Sequence, residues 1–495
     1  MAIKAKGGIS LPKTIFGTTE KSNFILNMKT EKYWDFNLKI LLGFMILMPI
    51  LSIPLEFSRL YSLPLIALAV TGVAAIVFTF IGFMKSVTPK KLWVLTGILA
   101  AMVVWGYVSL MNSFCAGDAY NYNVATFGFD GRGEGLLSIL FYGCFFMLGA
   151  QLGTDSNRRK LLNGMLLMGL AECVWGLLQA LPIGFQSYYQ NLEPMLLFRT
   201  FLPSGLTGSP IFLATLLVML EFPAMLMAAF TENKKQRILY LICSACFALM
   251  AVKTQCLIGL AGMGLAIVLG IVYLLWKKAG KRGAAAILAA VIAFGAGLGW
   301  SFGASAINGT YKGADSEAKV QGQLLYDGAI MWEDSSYRLE ASGYYVPGYD
   351  GNPNGAADAT SITGTYSYLW NSTAKIIRDY PLVGAGPDSL VYPQLYQNIA
   401  ITSNPNTFDR AYNFYLHTAA TLGIPMLLMV IAILLFAFIR GGKSGAYGGW
   451  VQAAVLGAVL LYVLAMVIGA SAVTVAPLFW MLAGCCCNMD SDQAK

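Results

Sequence analysis

Between Leu63 and Met84 the chain carries no charged side chain. That run exceeds the roughly 18 residues needed to cross the hydrocarbon layer of a bilayer. Within lipid no water satisfies backbone N–H and C=O groups, so such a segment must close its hydrogen bonds on itself as a helix. Similar runs fall at about 38–57, 92–113, 135–152, 161–183, 209–231, 237–252, 256–276, 284–303, 416–440, 448–470 and 472–488. The expected fold class is an all-α polytopic membrane protein with about twelve transmembrane helices. One large extracytoplasmic loop domain falls between helices 9 and 10. Composition agrees: 57% of residues are hydrophobic and 12% charged, where a soluble domain is about a quarter charged. A soluble enzyme of this composition would have too little polar surface to cover its core.

The net charge of +8 does not point to nucleic acid, because Lys and Arg cluster at the ends of apolar runs. Lys85, Lys90 and Lys91 follow run two; Arg158, Arg159 and Lys160 follow run four; Lys234, Lys235 and Arg237 follow run six. Lys277, Lys278, Lys281 and Arg282 follow run eight, and Arg440 and Lys443 follow run ten. These are alternate connections, on the side of the Lys-rich N-terminus, so both termini are expected in the cytoplasm of a multi-pass cell-membrane protein. The expected organisation is a cytoplasmic segment 1–35, helices 1–9 over 36–303, an extracytoplasmic loop 304–415, helices 10–12 over 416–488 and a cytoplasmic tail 489–495. The first hydrophobic run reads as a retained signal anchor. Cys144, Cys173, Cys243, Cys246 and Cys256 lie in apolar runs and read as small hydrophobes. Cys485–Cys487 end the last run, where packing is favoured over reversible acylation.

The loop 304–415 is too long for a structureless connector. Its stretch YDGAIMWEDSSYRLEASGYYVPGYDGNPNG is rich in aromatic, amide and carboxylate side chains. Aromatic faces suit the C–H faces of a sugar, and amides and carboxylates suit its hydroxyls; a folded cap without ligand is the alternative.

Four stretches resemble the O-antigen ligase and O-antigen polymerase (Wzy-like) family of membrane glycosyltransferases. The fullest is LWNSTAKIIRDYPLVGAGPDSL followed by FDRAYNFYLHTAATLGIPMLL. It places Trp370, Pro381, Gly384, Gly386, Pro387, Asp388, Asp409, Asn413, Tyr415, Leu416 and Gly423 on a PLLGxGPD-type turn and a D-K-P-H-N-x-Y-L-type helix entry. FGFDGRGEGLLSILFY is similar to an R-x-x-G-L segment and places Arg132 and Gly135. FRTFLPSGLTGSPIFLA places Arg199, Gly205 and Pro210, with Ser209 where the family has Asn. AECVWGLLQALP is similar to a G-x-x-Q helix end, with Gly176 and Gln179.

The resemblance implies a glycosyltransferase that polymerises or ligates undecaprenyl-diphosphate-linked glycan on the outer face, for cell-wall or other surface polysaccharide. It implies no nucleotide sugar, cofactor or catalytic metal. The partners implied are the lipid-linked glycan donor, a glycan or lipid acceptor and membrane lipids. Arginines on outer loops bind the diphosphate in the family, and a histidine before the Asn assists the acceptor hydroxyl. Here that position is Tyr412, the position four before the loop tryptophan is Tyr366, and the family's Ser-Arg-Gly turn reads TQCLIG.

Displacing a lipid diphosphate needs a cationic clamp, and guanidinium engages phosphate oxygens bidentately without losing its proton. Arg132, Arg199 and Arg410 are the substrate-binding candidates, with Asp388 and Asp409 from the motif. Arginines snorkelling to lipid phosphates are the competing reading. His417, the sole histidine, is a candidate base, with Tyr412 and Asn413 beside it. Treated as one helix, positions 412 and 417 lie far apart in azimuth, while Asn413 is closer to His417. A hydrogen-bonded interfacial histidine is an equal alternative. Glu172 and Glu221 fall inside helical runs, where an ionisable group is costly; a protonated carboxyl bonded between helices is favoured over a proton path. From a different class, the chain reads as a transporter or non-catalytic glycan binder, although no two-half repeat is visible and Pro49, Pro54, Pro64, Pro223 and Pro425 are scattered.

Overall fold

The structure is a computed structural model that describes residues 28–53, 63–85, 92–112, 119–128, 133–181, 203–308, 362–390, 410–447 and 449–488. The described residues are mostly helical, with no strand among them. In chain order the helices are α1 (Thr30–Ser52), α2 (Leu63–Met84), α3 (Trp93–Met111), α4 (Ala119–Phe127), α5 (Leu136–Ala150), α6 (Asp155–Ala180) and α7 (Pro210–Phe230). They continue as α8 (Lys234–Lys253), α9 (Ile258–Trp276), α10 (Gly280–Asn308), α11 (Ile362–Asp379), α12 (Phe414–Tyr447), α13 (Trp450–Ala465) and α14 (Ala476–Cys487).

Each apolar run of the sequence falls on a helix, but length separates them. Among the described residues, nine helices are long and apolar enough to cross a membrane, whereas α5, α13 and α14 are shorter apolar helices. The 12 residues of α14 rise about 18 Å at 1.5 Å per residue, short of the ~30 Å hydrocarbon layer. Hydropathy extends the last two runs to 470 and back to 472. In the structure, 466–475 is a non-helical turn in which Ala470, Ala472 and Val473 are buried. Such backbone is tolerated at apolar depth only when enclosed by protein.

The centre of the bundle is α7, whose spanning window is 100% buried. It packs against α6, α8, α9, α10 and α13, and being buried all round it has no face for water. Lipid tails are as apolar as Leu, so helices associate through close packing rather than hydrophobic drive. The α5–α14 crossing shows the means. A Cβ on Gly149 would lie 2.1 Å from the Met481 carbonyl oxygen, and one on Gly484 would lie 1.9 Å from that of Phe146. Only reciprocal glycines permit this approach.

The basic clusters gather at one end. Arg158 donates to the Asn488 carbonyl at 2.7 Å, Arg159 reaches Thr231 at 3.1 Å, and Arg282 pairs with Glu232 at 2.9 Å. The Arg282 guanidinium holds the exposed Glu232 carboxyl below its usual range. Cys485, Cys486 and Cys487 are buried near this end, where the Cys485 thiol faces the Gly149 carbonyl at 3.4 Å. Packing thus accounts for the cysteine triplet. The opposite end holds the starts of α5, α12 and α14 and the turn 466–475.

Candidate active site

The PLVGAGPD turn and the start of α12 form one unit. Gly423 has φ 82° and ψ 164°, which breaks α12 into a short segment from Phe414 and a long one beyond. The carbonyls released by this break are satisfied from outside. Ala385 N donates to Ala420 O at 2.8 Å and Gly386 N to Thr421 O at 2.9 Å, while Ile424 N donates to Pro381 O at 2.8 Å. From α3, Trp105 Nε1 donates to Leu422 O at 3.0 Å, and Ser109 Oγ to Val383 O at 2.5 Å. The turn approaches so closely that a Cβ on Gly384 would lie 2.3 Å from the Thr421 carbonyl carbon. Gly384 and Gly386 also need positive φ, at 70° and 112°. These motif glycines are therefore docking residues.

Docking delivers Asp388. Its φ of 51° is unusual for a non-glycine residue, and its carboxylate is wholly buried, with Oδ1 3.4 Å from Nε2 of His417. His417 Nδ1 is also buried. The pair lies in the wall of a cleft enclosing about 690 Å³ of empty space, part of it open. The polar lining is Glu134, Tyr142, Asp388, His417, Thr418 and Thr421. Beyond these the walls are apolar, with Met102, Met426 and Val430; Met426 and Val430 lie past the Gly423 break in α12. The cleft is polar near the starts of α5 and α12 and apolar farther along them.

Glu134 is the site residue to which the motifs do not point. It stands on the turn before α5, and its Oε1 accepts Tyr142 OH at 2.9 Å and Ser471 Oγ at 2.5 Å. In the R-x-x-G-L pattern it occupies a variable position between Arg132 and Gly135. A carboxylate immediately before an apolar run is the available signal.

A second, smaller cavity adjoins the first through His417 and is lined by Arg410, Tyr412, Asn413 and Ser471 among others. The Arg410 guanidinium lies 5.5 Å from the Tyr412 ring centre and 5.6 Å from that of Phe212. Such stacking holds the planar cation without discharging it. The expected divergence of Tyr412 and His417 assumes one helix through both. Instead Tyr412 has φ 45° and α12 starts at Phe414, so both border this cavity. Asn413 has a structural role, because its Oδ1 accepts Tyr415 N and Leu416 N, each at 3.0 Å, as an N-cap does.

The G-x-x-Q helix end and the loop entering α7 also dock together. Gln179 Oε1 accepts Ser204 N and Gly205 N, both at 2.9 Å. Glu172 Oε2 accepts Leu206 N at 2.5 Å. Glu172 thus anchors a loop, while Glu221 bonds Ser244 of α8 at 2.5 Å between helices. Arg132, Arg199 and Asp409 lie outside the described residues. The structure accordingly brings together Asp388, Arg410, Tyr412, Asn413 and His417, and adds Glu134, Tyr142 and Ser471.

Residues 239–431 match the family model described as O-Antigen ligase. No curated protein matches the chain. The matched span contains α12's broken start together with Asp388, Arg410 and His417, and over that region this multi-pass membrane chain is similar to O-antigen ligases.

Proposed function

We propose that the chain is a membrane glycosyltransferase that polymerises or ligates undecaprenyl-diphosphate-linked glycan on the outer face of the cytoplasmic membrane, building cell-surface polysaccharide. The O-antigen ligase-like region supports a membrane glycan ligase or polymerase in general. The observation that carries the finer reading is the cleft with Arg410 beside it, at the end of the bundle away from the basic clusters. By the positive-inside rule that end faces outward and both termini face the cytoplasm.

A lipid diphosphate is polar at its head and isoprenoid below, which suits a cleft polar near the starts of α5 and α12 and apolar farther along them. Arg410 supplies charge for the departing diphosphate, and Arg132 and Arg199 remain the further candidates that the sequence offers for that role. Asp388 holds the docked turn against His417, and the acceptor hydroxyl enters beside it. The test is made in cells lacking the chain and supplied with wild type, Arg410→Ala or Asp388→Asn. Both variants are expected to accumulate lipid-linked oligosaccharide and to shorten or lose the surface polymer. Wild-type polymer length and yield from both would overturn the proposal.

A further inference from the structure

The sequence nominates His417 as the group that takes the acceptor's proton, yet the geometry turns that imidazole away from such a role. Its Nε2 faces Asp388 at 3.4 Å. A neutral imidazole that donates through one nitrogen keeps its basic lone pair on the other. Here the other is Nδ1, and it is buried. With Nε2 engaged by Asp388 and Nδ1 buried, His417 is placed to hold Asp388 and the docked turn.

We propose that Glu134 is the general base for the acceptor hydroxyl, an inference that rests on the glycosyl-transfer reading above. Glu134 lines the same cleft as His417 and is half-buried rather than sealed. Its carboxylate is fixed from two sides, by Tyr142 of α5 and by Ser471 of the turn before α14, both donating to Oε1. The turn that carries it is itself fixed: Gly133 takes φ 67° and its carbonyl accepts the Ser138 hydroxyl. Such a held carboxylate meets the geometric demand on a general base. In the step, the acceptor oxygen forms a bond to the anomeric carbon as the carbon–oxygen bond to the diphosphate breaks. The bonding pair leaves with the diphosphate, and the acceptor proton passes to Glu134, which returns it to water.

A residue that merely braced the α5 turn would lower folded yield and leave the pH profile of turnover unchanged. The assay uses purified full-length chain with lipid-linked oligosaccharide extracted from cells lacking it. Undecaprenyl diphosphate binding is read in parallel by native mass spectrometry. Glu134→Gln is expected to lose turnover by about 10²- to 10⁴-fold while binding stays near wild type. It is also expected to lose the acid limb of the rate profile. Glu134→Asp, which keeps the charge, recovers part of the rate and the acid limb, and serves if the amide variant fails to fold. Arg410→Ala loses both binding and turnover. Wild-type turnover in Glu134→Gln and Glu134→Asp with an inactive Arg410→Ala overturns the assignment alone. Wild-type turnover in Glu134→Gln, Glu134→Asp and Arg410→Ala overturns the transfer reaction as well.

Discussion

Replacing Gly423 by alanine should detach the PLVGAGPD turn from α12. The φ 82°, ψ 164° conformation belongs almost entirely to glycine, and a side chain there costs about 1–3 kcal/mol. The added Cβ would also sit 1.8 Å from the Leu382 carbonyl oxygen, inside any tolerable contact. Relief requires the turn to move, giving up the hydrogen bonds from Ala385, Gly386 and Ile424 at 2.8, 2.9 and 2.8 Å. At about 1 kcal/mol net each, the total reaches about 4–6 kcal/mol, a large share of the 5–15 kcal/mol typical of a folded domain. The assay is thermal unfolding in detergent alongside glycan transfer, because the same movement withdraws Asp388 from His417. Gly295→Ala is the control: it is helical and its Cβ meets nothing within 4 Å, so it should be neutral or stabilise by about 0.5–1 kcal/mol. If Gly423→Ala unfolds at the wild-type temperature and retains full turnover, the turn is not held by this docking.

Gln179→Leu removes the shared acceptor of two buried N–H groups and should destabilise by about 2–6 kcal/mol at 1–3 kcal/mol per orphaned donor, read as a lowered unfolding temperature. Glu172→Gln keeps an acceptor for Leu206 N and should be far milder than Glu172→Leu in the same measurement. For orientation, Lys375→Cys on the exposed face of α11 should react with an impermeant maleimide added outside intact cells, and Lys234→Cys should react only after permeabilisation; the reverse pattern would invert the topology. Cys485, Cys486 and Cys487 are buried, so thiol alkylation of the folded protein should spare them and no hydroxylamine-sensitive acyl mass should be found there.

Much of the fold is legible in the sequence because the bilayer forces apolar runs into helices, and each run does fall on one. What hydropathy does not show is where a run stops being helical. Residues 466–475 (MVIGASAVTV) are as apolar as a span, yet they form a buried turn whose Ser471 reaches Glu134. At the site, the Gly384, Gly386 and Asp388 pattern is readable as a turn, but its partner is not. The pairing of that turn with α12 depends on a break at Gly423 and on caps from Trp105 and Ser109, which lie more than 270 residues earlier in sequence. Asn413, which the motif sets beside the chemistry, proves to be a helix cap; an Asn just ahead of an apolar helix carries that signature. Tyr412 and His417 meet for a local reason, since Tyr412 is left-handed and lies outside the helix.

The most direct measurement counts molecules. Purified chain in proteoliposomes is given radiolabelled undecaprenyl-diphosphate-linked oligosaccharide, and free undecaprenyl diphosphate is quantified against new glycosidic bonds. Transfer in the cleft predicts one diphosphate lipid released per bond formed, with both products abolished by Arg410→Ala. Movement of intact oligosaccharide across the bilayer, with neither product formed, would contradict it.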